Sequence, residues 1–399
     1  MTMVSTRATG LSESATLALD ARAKSMIAEG RRVIRFGVGE PDFDTPKHIV
    51  DAAAHAASDP RLHRYTATGG LPELRAAVAE KTQRDSGYAV HPDQVLITNG
   101  AKQAVYQAML TLINPGDEVL IPKPYWTSYP QCVRLVGGVT VSIPIDIGNG
   151  FRVSIESLEA AYTGRTKLLV LCSPSNPTGT VYSREQLAEI GRWAVRRGVW
   201  ILADEIYEHF VYAGSSFHSI PALCPEAAER TIVVNGVSKT YAMTGWRVGW
   251  MVADARFVAE AKKVQSHVSS NVNGIAQIAA KAALDGGLEF VRMMSATFDR
   301  RLLRMAERLD GLDGVRCPRS DGAFFSFPSV SEALEAGVAG TRCATSADLA
   351  NFLLEDAGVA AVPGEAFGAP GFLRLSGAVS DDDLEEGLTR IANAWNRRA

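Results

Sequence analysis

The chain has 399 residues, of which 46% are hydrophobic and 21% charged, and its net charge is −3. That is enough apolar material for more than one core, and at roughly 100–200 residues per domain two domains are expected. The scattering of Arg and Lys among acids argues against nucleic acid as a partner, and no apolar run reaches the roughly 18 residues of a membrane span.

The N-terminal stretch up to Met26 has no apolar segment of the signal-peptide kind. Gly37 to Pro46, "GVGEPDFDTP", is too rich in Gly and Pro for a helix and reads as an ordered loop. From His48 onward two patterns alternate. "HIVDAAAHAA" and "LPELRAAVAEKTQRD" have helical spacing, "QVLITNG" is a β-rich run, and "KQAVYQAMLTLI" is helical up to the Pro115-Gly116 stop. "DEVLIP" reads as a strand and is followed by "VRLVGG" and "TVSIPI". Then come "TKLLVLCSP" as strand, "SREQLAEIGRWAVRRG" as helix, "VWILADE" as strand, and "RTIVVNGVS" and "WRVGWMVAD" to close the series.

Short β-branched runs between helices predict an α/β fold: a three-layer domain with a mostly parallel sheet covered on both faces. After "QIAAKAALDGG", a helix from Glu289 to Leu309 leads into the strands "AFFSF" and "FLRLSG" and the helices "SADLANFLLEDAG" and "DDDLEEGLTRIANAWNRR". This predicts a smaller α/β domain. The expected division is residues 48–288 for the large domain and 289–399 for the small one, with 1–47 packing against the latter. Arg300, Arg301, Arg304 and Arg308 fall at helical spacing and read as a solvated helix face.

Five cysteines (Cys132, Cys172, Cys224, Cys317, Cys343) are far apart, with no CxxC and no His at metal-ligand spacing. An odd, dispersed set predicts reduced thiols in a reducing, cytoplasmic compartment and no metal site.

In open α/β sheets ligands bind outside the carboxyl ends of the strands. Polar motifs sit at five such ends: "NGAK", "SPSNPTG", "ADEIY", "NGVSKT" and "LRLS". Lys239 follows "TIVVNGVS"; most lysines are solvated surface groups, but this one has Ser238 before it and Arg247 eight residues on, just ahead of an apolar strand. A guanidinium there suits an anion at the sheet edge, and nearby cations with partial burial would lower a lysine's proton affinity enough for nucleophilic work. Asp204 ends an apolar strand, where a carboxylate is either a helix cap or the partner of a buried cation such as a protonated pyridine nitrogen. Tyr207 lies three residues on. Asn176 stands in a Pro- and Gly-rich turn. "NGAK", from Asn99 to Lys102, opens a helix whose first amides point at a potential anion.

Assembled, these residues resemble the aspartate aminotransferase family of fold type I pyridoxal-phosphate enzymes, in particular the bacterial branch of thermophile and rhizobial aspartate aminotransferases. The likeness runs from "ESATLALDARAK" to "LRLSGAVSDDDLEEGL" and is carried by "NGVSKTYAMTGWRVG", "SPSNPTG", "DEIYEHFVY" and "GEPDFDTP". It implies that pyridoxal 5′-phosphate is bound covalently by Lys239, which also shuttles the proton. Asp204 would pair with the pyridine nitrogen, Tyr207 and Asn176 would bond the ring oxygen, and Trp126 in "PYWTSY" would stack on the ring. The phosphate would lie against the backbone of Ala101 and Lys102, Ser238 and Arg247, with Tyr65 reaching it from the neighbouring subunit of a homodimer. Arg374, Asn176 and the backbone of Gly39 would hold the substrate α-carboxylate.

The resemblance implies a ping-pong exchange between an amino acid and a 2-oxo acid, aspartate or glutamate with 2-oxoglutarate. In this branch Lys102 is associated with the distal carboxylate of dicarboxylic substrates; a helix-start lysine that only supports phosphate is the competing role. The N-terminal segment departs from the branch: many relatives have Lys-Pro-Ser-Ala-Thr where this chain has Ser12-Glu13-Ser14-Ala15-Thr16. Losing a basic residue there weakens the case for prephenate and leaves room for a neutral or cationic substrate. Two alternatives remain open: the same cofactor with another amino acid or a lyase, cyclase or oxidase reaction, and a non-catalytic aminotransferase-like half of a transcription regulator. The latter would have a helix-turn-helix ahead of the Gly/Pro loop.

Overall fold

Seven of the apolar runs pair into one sheet. In the computed structural model, which describes residues 3–145, 147–212, 214–338 and 343–396, they are β1 (Val95–Thr98), β2 (Glu118–Lys123), β3 (Val139–Pro144), β4 (Thr166–Cys172), β5 (Trp200–Asp204), β6 (Thr231–Gly236) and β7 (Gly249–Val252). Their spatial order is β1-β7-β6-β5-β4-β2-β3. The pairings from β6 through β5, β4 and β2 to β3 are all parallel, whereas β7 runs antiparallel to both β6 and β1. The sheet is thus mostly parallel, and β7 alone is reversed.

Successive strand residues point to opposite faces, and here both faces are apolar. Leu169, Leu171, Ile201, Ala203 and Val233 enter one core, while Leu168, Val170, Leu202, Ile232 and Val234 enter another on the opposite side. Helices cover each face and are ended by local chemistry. The helix Arg184–Arg197 starts in a capping box between Ser183 and Gln186 and stops at Gly198, whose φ of 68° is easily reached by glycine.

A second, smaller unit holds β8 (Phe325–Ser326), β9 (Val362–Pro363) and β10 (Leu373–Ser376) in the antiparallel order β8-β10-β9. The helices Glu289–Asp310, Ser346–Ala357 and Asp381–Trp395 pack on it; Arg397 and Arg398, expected in the last of these, lie outside the described residues. Its core includes Phe298, Leu302, Phe324 and Leu388, and it also takes Ile34 and Phe36 from the N-terminal segment and Tyr207 and Phe210 from the turn after β5. Backbone bonds stitch the N-terminal segment to this unit: Ile34 N to Gly358 O at 2.8 Å and Ser376 N to Phe36 O at 2.8 Å.

Two expectations need correction. "VRLVGG" is not extended: it ends the helix Ser128–Leu135, whose buried face carries Tyr129, Cys132 and Val133. The row of arginines is not simply a solvated face. Arg300, Arg304 and Arg308 pair with Asp381 and Glu385 of the last helix, and Arg301 is 6% exposed, bonding Asp381 at 2.7 Å and both oxygens of Asp42 at 2.9 Å. A buried guanidinium needs such partners, and through Asp42 it ties the Gly/Pro loop to the long helix. Among the described residues no helix is long and apolar enough to cross a membrane.

Phe298 is fully buried and meets Phe43, Phe210 and Phe324. Phe298→Ala is expected to cost about 3–5 kcal/mol, read as a lower urea midpoint; a midpoint equal to wild type would remove this ring from the core.

Candidate active site

Because β7 is reversed, its first residues lie at the same sheet edge as the last residues of β1, β4, β5 and β6. A cavity of about 390 Å³ opens there. It gathers Gly39, Ala101, Lys102, Trp126, Asn176, Asp204, Tyr207, Ser238, Lys239, Arg247 and Arg374. Tyr65 lies apart and is 91% exposed.

Lys239 sits in a short helix, Val237–Thr240, that begins as β6 ends. Its Nζ donates to Gly39 O at 2.7 Å. Burial lowers its proton affinity most; Glu40 partly restores it, while the charges of Arg247, Arg374 and Lys102 lower it further, to about 8. An amine so placed is available in its neutral, nucleophilic form near neutral pH.

Asp204 is the last residue of β5 and is 4% exposed. Desolvation pushes its carboxyl up to about 6, against the Tyr129 hydroxyl, the Ile206 amide and the charge of Lys239. Tyr129 Oη donates to Oδ2 at 2.7 Å and Ile206 N to Oδ1 at 3.3 Å. Among the described residues no cation is ion-paired with this buried acid, so its acidity would be restored by a cationic group entering the cavity.

The opposite wall suits an anion. The helix Ala101–Leu112 begins at Gly100 with no side-chain cap, leaving its first amides for another acceptor. Arg247, at φ 57°, stands beside it, with Nη1 on Thr244 O at 2.7 Å. Two glycines make this approach possible: a Cβ on Gly100 would fall 2.4 Å from the Arg247 guanidinium, and one on Gly249 would fall 2.4 Å from Ala101 N.

"LRLS" is not at a strand end as expected but forms β10 itself, so Arg374 is its second residue; it is 3% exposed, Nη1 bonds Asn176 Oδ1 at 3.1 Å and Nη2 bonds Gly37 O at 2.8 Å. Its Cζ lies 4.5 Å from the ring centre of Phe325 and 5.1 Å from that of Phe367, and its Nε has no hydrogen-bond partner. Burial draws its pKa down to about 10, so it remains a cation at neutral pH. A carboxylate entering the cavity would satisfy it. Trp126 meets Tyr129 edge to face, and Lys102 Nζ lies 5.1 Å from the Trp126 ring.

The cavity also holds residues that sequence reasoning passed over. Tyr129 is the most consequential, and the signal was there: it follows Trp126 by three residues in "PYWTSY", one helical turn on. Cys172, at the end of β4, is pushed up as a thiol by burial and by Asp204. Glu40 accepts from Thr244 Oγ1 at 2.7 Å, and Asp20 of the N-terminal helix Ala15–Ala28 pairs with Arg35 at 2.5 Å. Two backbone carbonyls of the Gly/Pro loop were also not foreseen as partners here: that of Gly39 accepts from Lys239 and that of Gly37 from Arg374.

Residues 31–391 match the family described as Aminotransferase class I and II. The chain is 56% identical over 388 residues to an aspartate aminotransferase of Streptomyces avermitilis, covering 97% of this chain and 95% of that one. It is 42% identical to an asparagine–oxo-acid transaminase of Streptococcus mutans, covering 98% of each. The crystal structure of the Rhizobium meliloti aspartate aminotransferase superposes with a TM-score of 0.95 at 41% identity and full coverage of both chains.

The carboxyl of Asp204 binds its proton more tightly folded than unfolded. It therefore opposes folding as pH rises above 3.8, with the whole penalty in place above about 6. Asp204→Asn is expected to stabilise the cofactor-free chain at pH 7 by on the order of 1–3 kcal/mol, a gain that disappears below pH 4. Urea unfolding at both pH values checks this; an equal difference at the two would contradict the buried, unpaired acid.

Proposed function

Starting from a chain that belongs to the class I and II aminotransferase family, we propose that it exchanges the amino group of aspartate or glutamate with a 2-oxo acid, using pyridoxal 5′-phosphate. The observation that carries this is the convergence of an amine of lowered basicity (Lys239), a buried carboxyl without a cation (Asp204) and a buried guanidinium with a spare donor (Arg374) in one cavity.

The cavity's donors fit the cofactor. Asp204 offers a negative charge for a protonated pyridine nitrogen, and the uncapped helix start at Ala101 and Lys102, with Ser238 and Arg247, offers donors for a phosphate. Trp126 supplies a flat face, and Tyr207 and Asn176 supply polar atoms for the ring oxygen. When bound, pyridoxal phosphate supplies an electron sink for the pair left when a bond to the substrate α-carbon breaks. Lys239 is then the base that carries the α-proton. Arg374, with Asn176, orients the α-carboxylate, and the flanking Phe325 and Phe367 exclude water from that contact. A second product forms when a 2-oxo acid collects the amino group, which gives ping-pong kinetics.

Lys102 would meet the distal carboxylate of a dicarboxylic substrate. A different amino acid is the second reading, favoured by the transaminase relative named for asparagine and by Ser12-Glu13, which lack the one basic residue of the branch's segment and add an acid. Tyr65 is exposed and does not line its own cavity, which supports its role in a neighbouring subunit's site, so a homodimer with shared sites belongs to this proposal. The division at residues 47 and 288 belongs to it too, as does a cytoplasmic location, which the five unpaired cysteines favour.

Addition of aspartate or glutamate to the chain loaded with pyridoxal phosphate should shift its absorbance. If both leave the spectrum unchanged while asparagine or another amino acid bleaches it, the dicarboxylic assignment is wrong. Lys239→Ala should abolish turnover, and Arg374→Lys should lower kcat/KM by about 10–150-fold, the loss of charge-assisted hydrogen bonds worth about 1.5–3 kcal/mol. Full activity in the Lys239 variant would sink the mechanism.

A further inference from the structure

Beside the cavity lies a second set of buried polar side chains that takes no part in the chemistry above. Lys81, from the helix Pro72–Ser86, is 4% exposed; its ammonium bonds the Glu208 carboxylate and lies 3.4 Å from Asp85. His209 Nε2 is 3.3 Å from Asp85 and 3.6 Å from Glu208. Asp85, Glu208 and His209 are close enough together to hold a metal ion, but Lys81 already places a cation against both carboxylates.

Bonds lead from this cluster to both catalytic turns. Glu208 Oε1 accepts from Asn235 Nδ2 at 2.9 Å, and Asn235 Oδ1 accepts from Gly236 N at 2.7 Å. Gly236 caps the short helix that carries Ser238 and Lys239. Glu208 also closes the turn that starts at Asp204: its amide donates to Glu205 O at 3.0 Å, and Glu205 N donates to Val234 O at 2.9 Å. Glu208 therefore belongs through its backbone to the turn of Asp204, and its carboxylate reaches the turn of Lys239 through the single side-chain amide of Asn235.

Burying two carboxylates and an ammonium is expensive, and apolar groups of similar volume often stabilise a fold as well or better. A bonded polar network has another effect: its directional bonds, here those of Lys81, Glu208 and Asn235, select one arrangement of the segments they join, while His209 Nε2 makes no hydrogen bond. Adjacent parallel strands do not by themselves fix the short turns beyond their ends, and catalysis is sensitive to displacements near 1 Å. We infer that Glu208 and Asn235, held by Lys81, are positioning residues that set Lys239 relative to Asp204. This rests on the aminotransferase reading only for the catalytic roles of those two side chains.

Two variants test it: Asn235→Ala, which cuts the link and leaves Glu208 paired with Lys81, and the double variant Lys81→Met/Glu208→Leu, which leaves Asp85 to Arg84 and His209. In the loaded enzyme kcat should fall about tenfold while KM stays within about threefold. In the cofactor-free chain, the pH dependence of Lys239 acylation by acetic anhydride, followed by mass spectrometry, reports the amine directly. Its midpoint should rise from about 8 toward that of a solvated lysine. The charged groups facing Lys239 (Glu40, Asp204, Lys102, Arg247 and Arg374) are unchanged in both variants, so such a shift reads position.

Wild-type kcat and midpoint in the folded variants, even with a lower Tm, would make the cluster merely structural and overturn the inference. Failure of both variants to fold would do the same. A wild-type chain that shows the midpoint near 8 but no transamination would instead defeat the aminotransferase reading, and a shifted midpoint in the variants would still support the positioning role.

Discussion

The reversal of β7 between β1 and β6 is the constraint on which the cavity depends. Four strands deliver their last residues to one sheet edge, as parallel strands must. An antiparallel strand delivers its first residues there instead, and so Arg247 meets the start of the helix Ala101–Leu112. The contact is possible only because Gly249 and Gly100 leave the backbones and the guanidinium room to approach. An anion site built from helix amides and an arginine is a product of this crossing rather than of either segment.

The second feature is electrostatic. A stable core pairs its buried charges, as Arg301 is paired with Asp42 and Asp381. The cavity does the opposite with Asp204, Lys239 and Arg374, each of which is held away from its ordinary proton affinity mainly by burial. Tyr129 moderates Asp204 with a neutral donor, which supports the carboxylate without consuming its charge. Such a set is a cost to the apoprotein and an asset to any ligand that brings the complementary charges, since each then gains partners in a low-dielectric site. The small unit contributes Arg374 and shares a core with Tyr207 and Phe210, so the two halves of the cavity are packed into one another.

Much of this could be read from residue order. The α/β alternation predicted a mostly parallel sheet because strands buried on both faces are apolar over consecutive residues, as β4 is over Leu168–Cys172 and β5 over Trp200–Ala203. Lys239, Asp204, Asn176 and Arg374 were found because strand ends are where polar residues need a reason. The resemblance then gave those residues their roles. "VRLVGG" misled because a short apolar run has no period of its own, and it proved to close an amphipathic helix. Arg301 was misjudged because helical spacing marks a face without saying what covers it. Tyr129 was overlooked although it stands one turn from Trp126, because its meaning lies in Asp204, 75 residues away.

Residue order by itself determined most element types, the strand-end positions of the lysine and the acid, and the family they resemble, since these depend on local periodicity and on short motifs. The direction of β7, the bonds of Lys239 and Arg374 to the carbonyls of Gly39 and Gly37, the pairing of Tyr129 with Asp204, and the cluster of Lys81 with Glu208 were decided only by tertiary structure. The physical reason is the same in each case. Hydrogen bonds and desolvation act through space over a few ångströms, and the groups they join here are separated by tens to hundreds of residues along the chain.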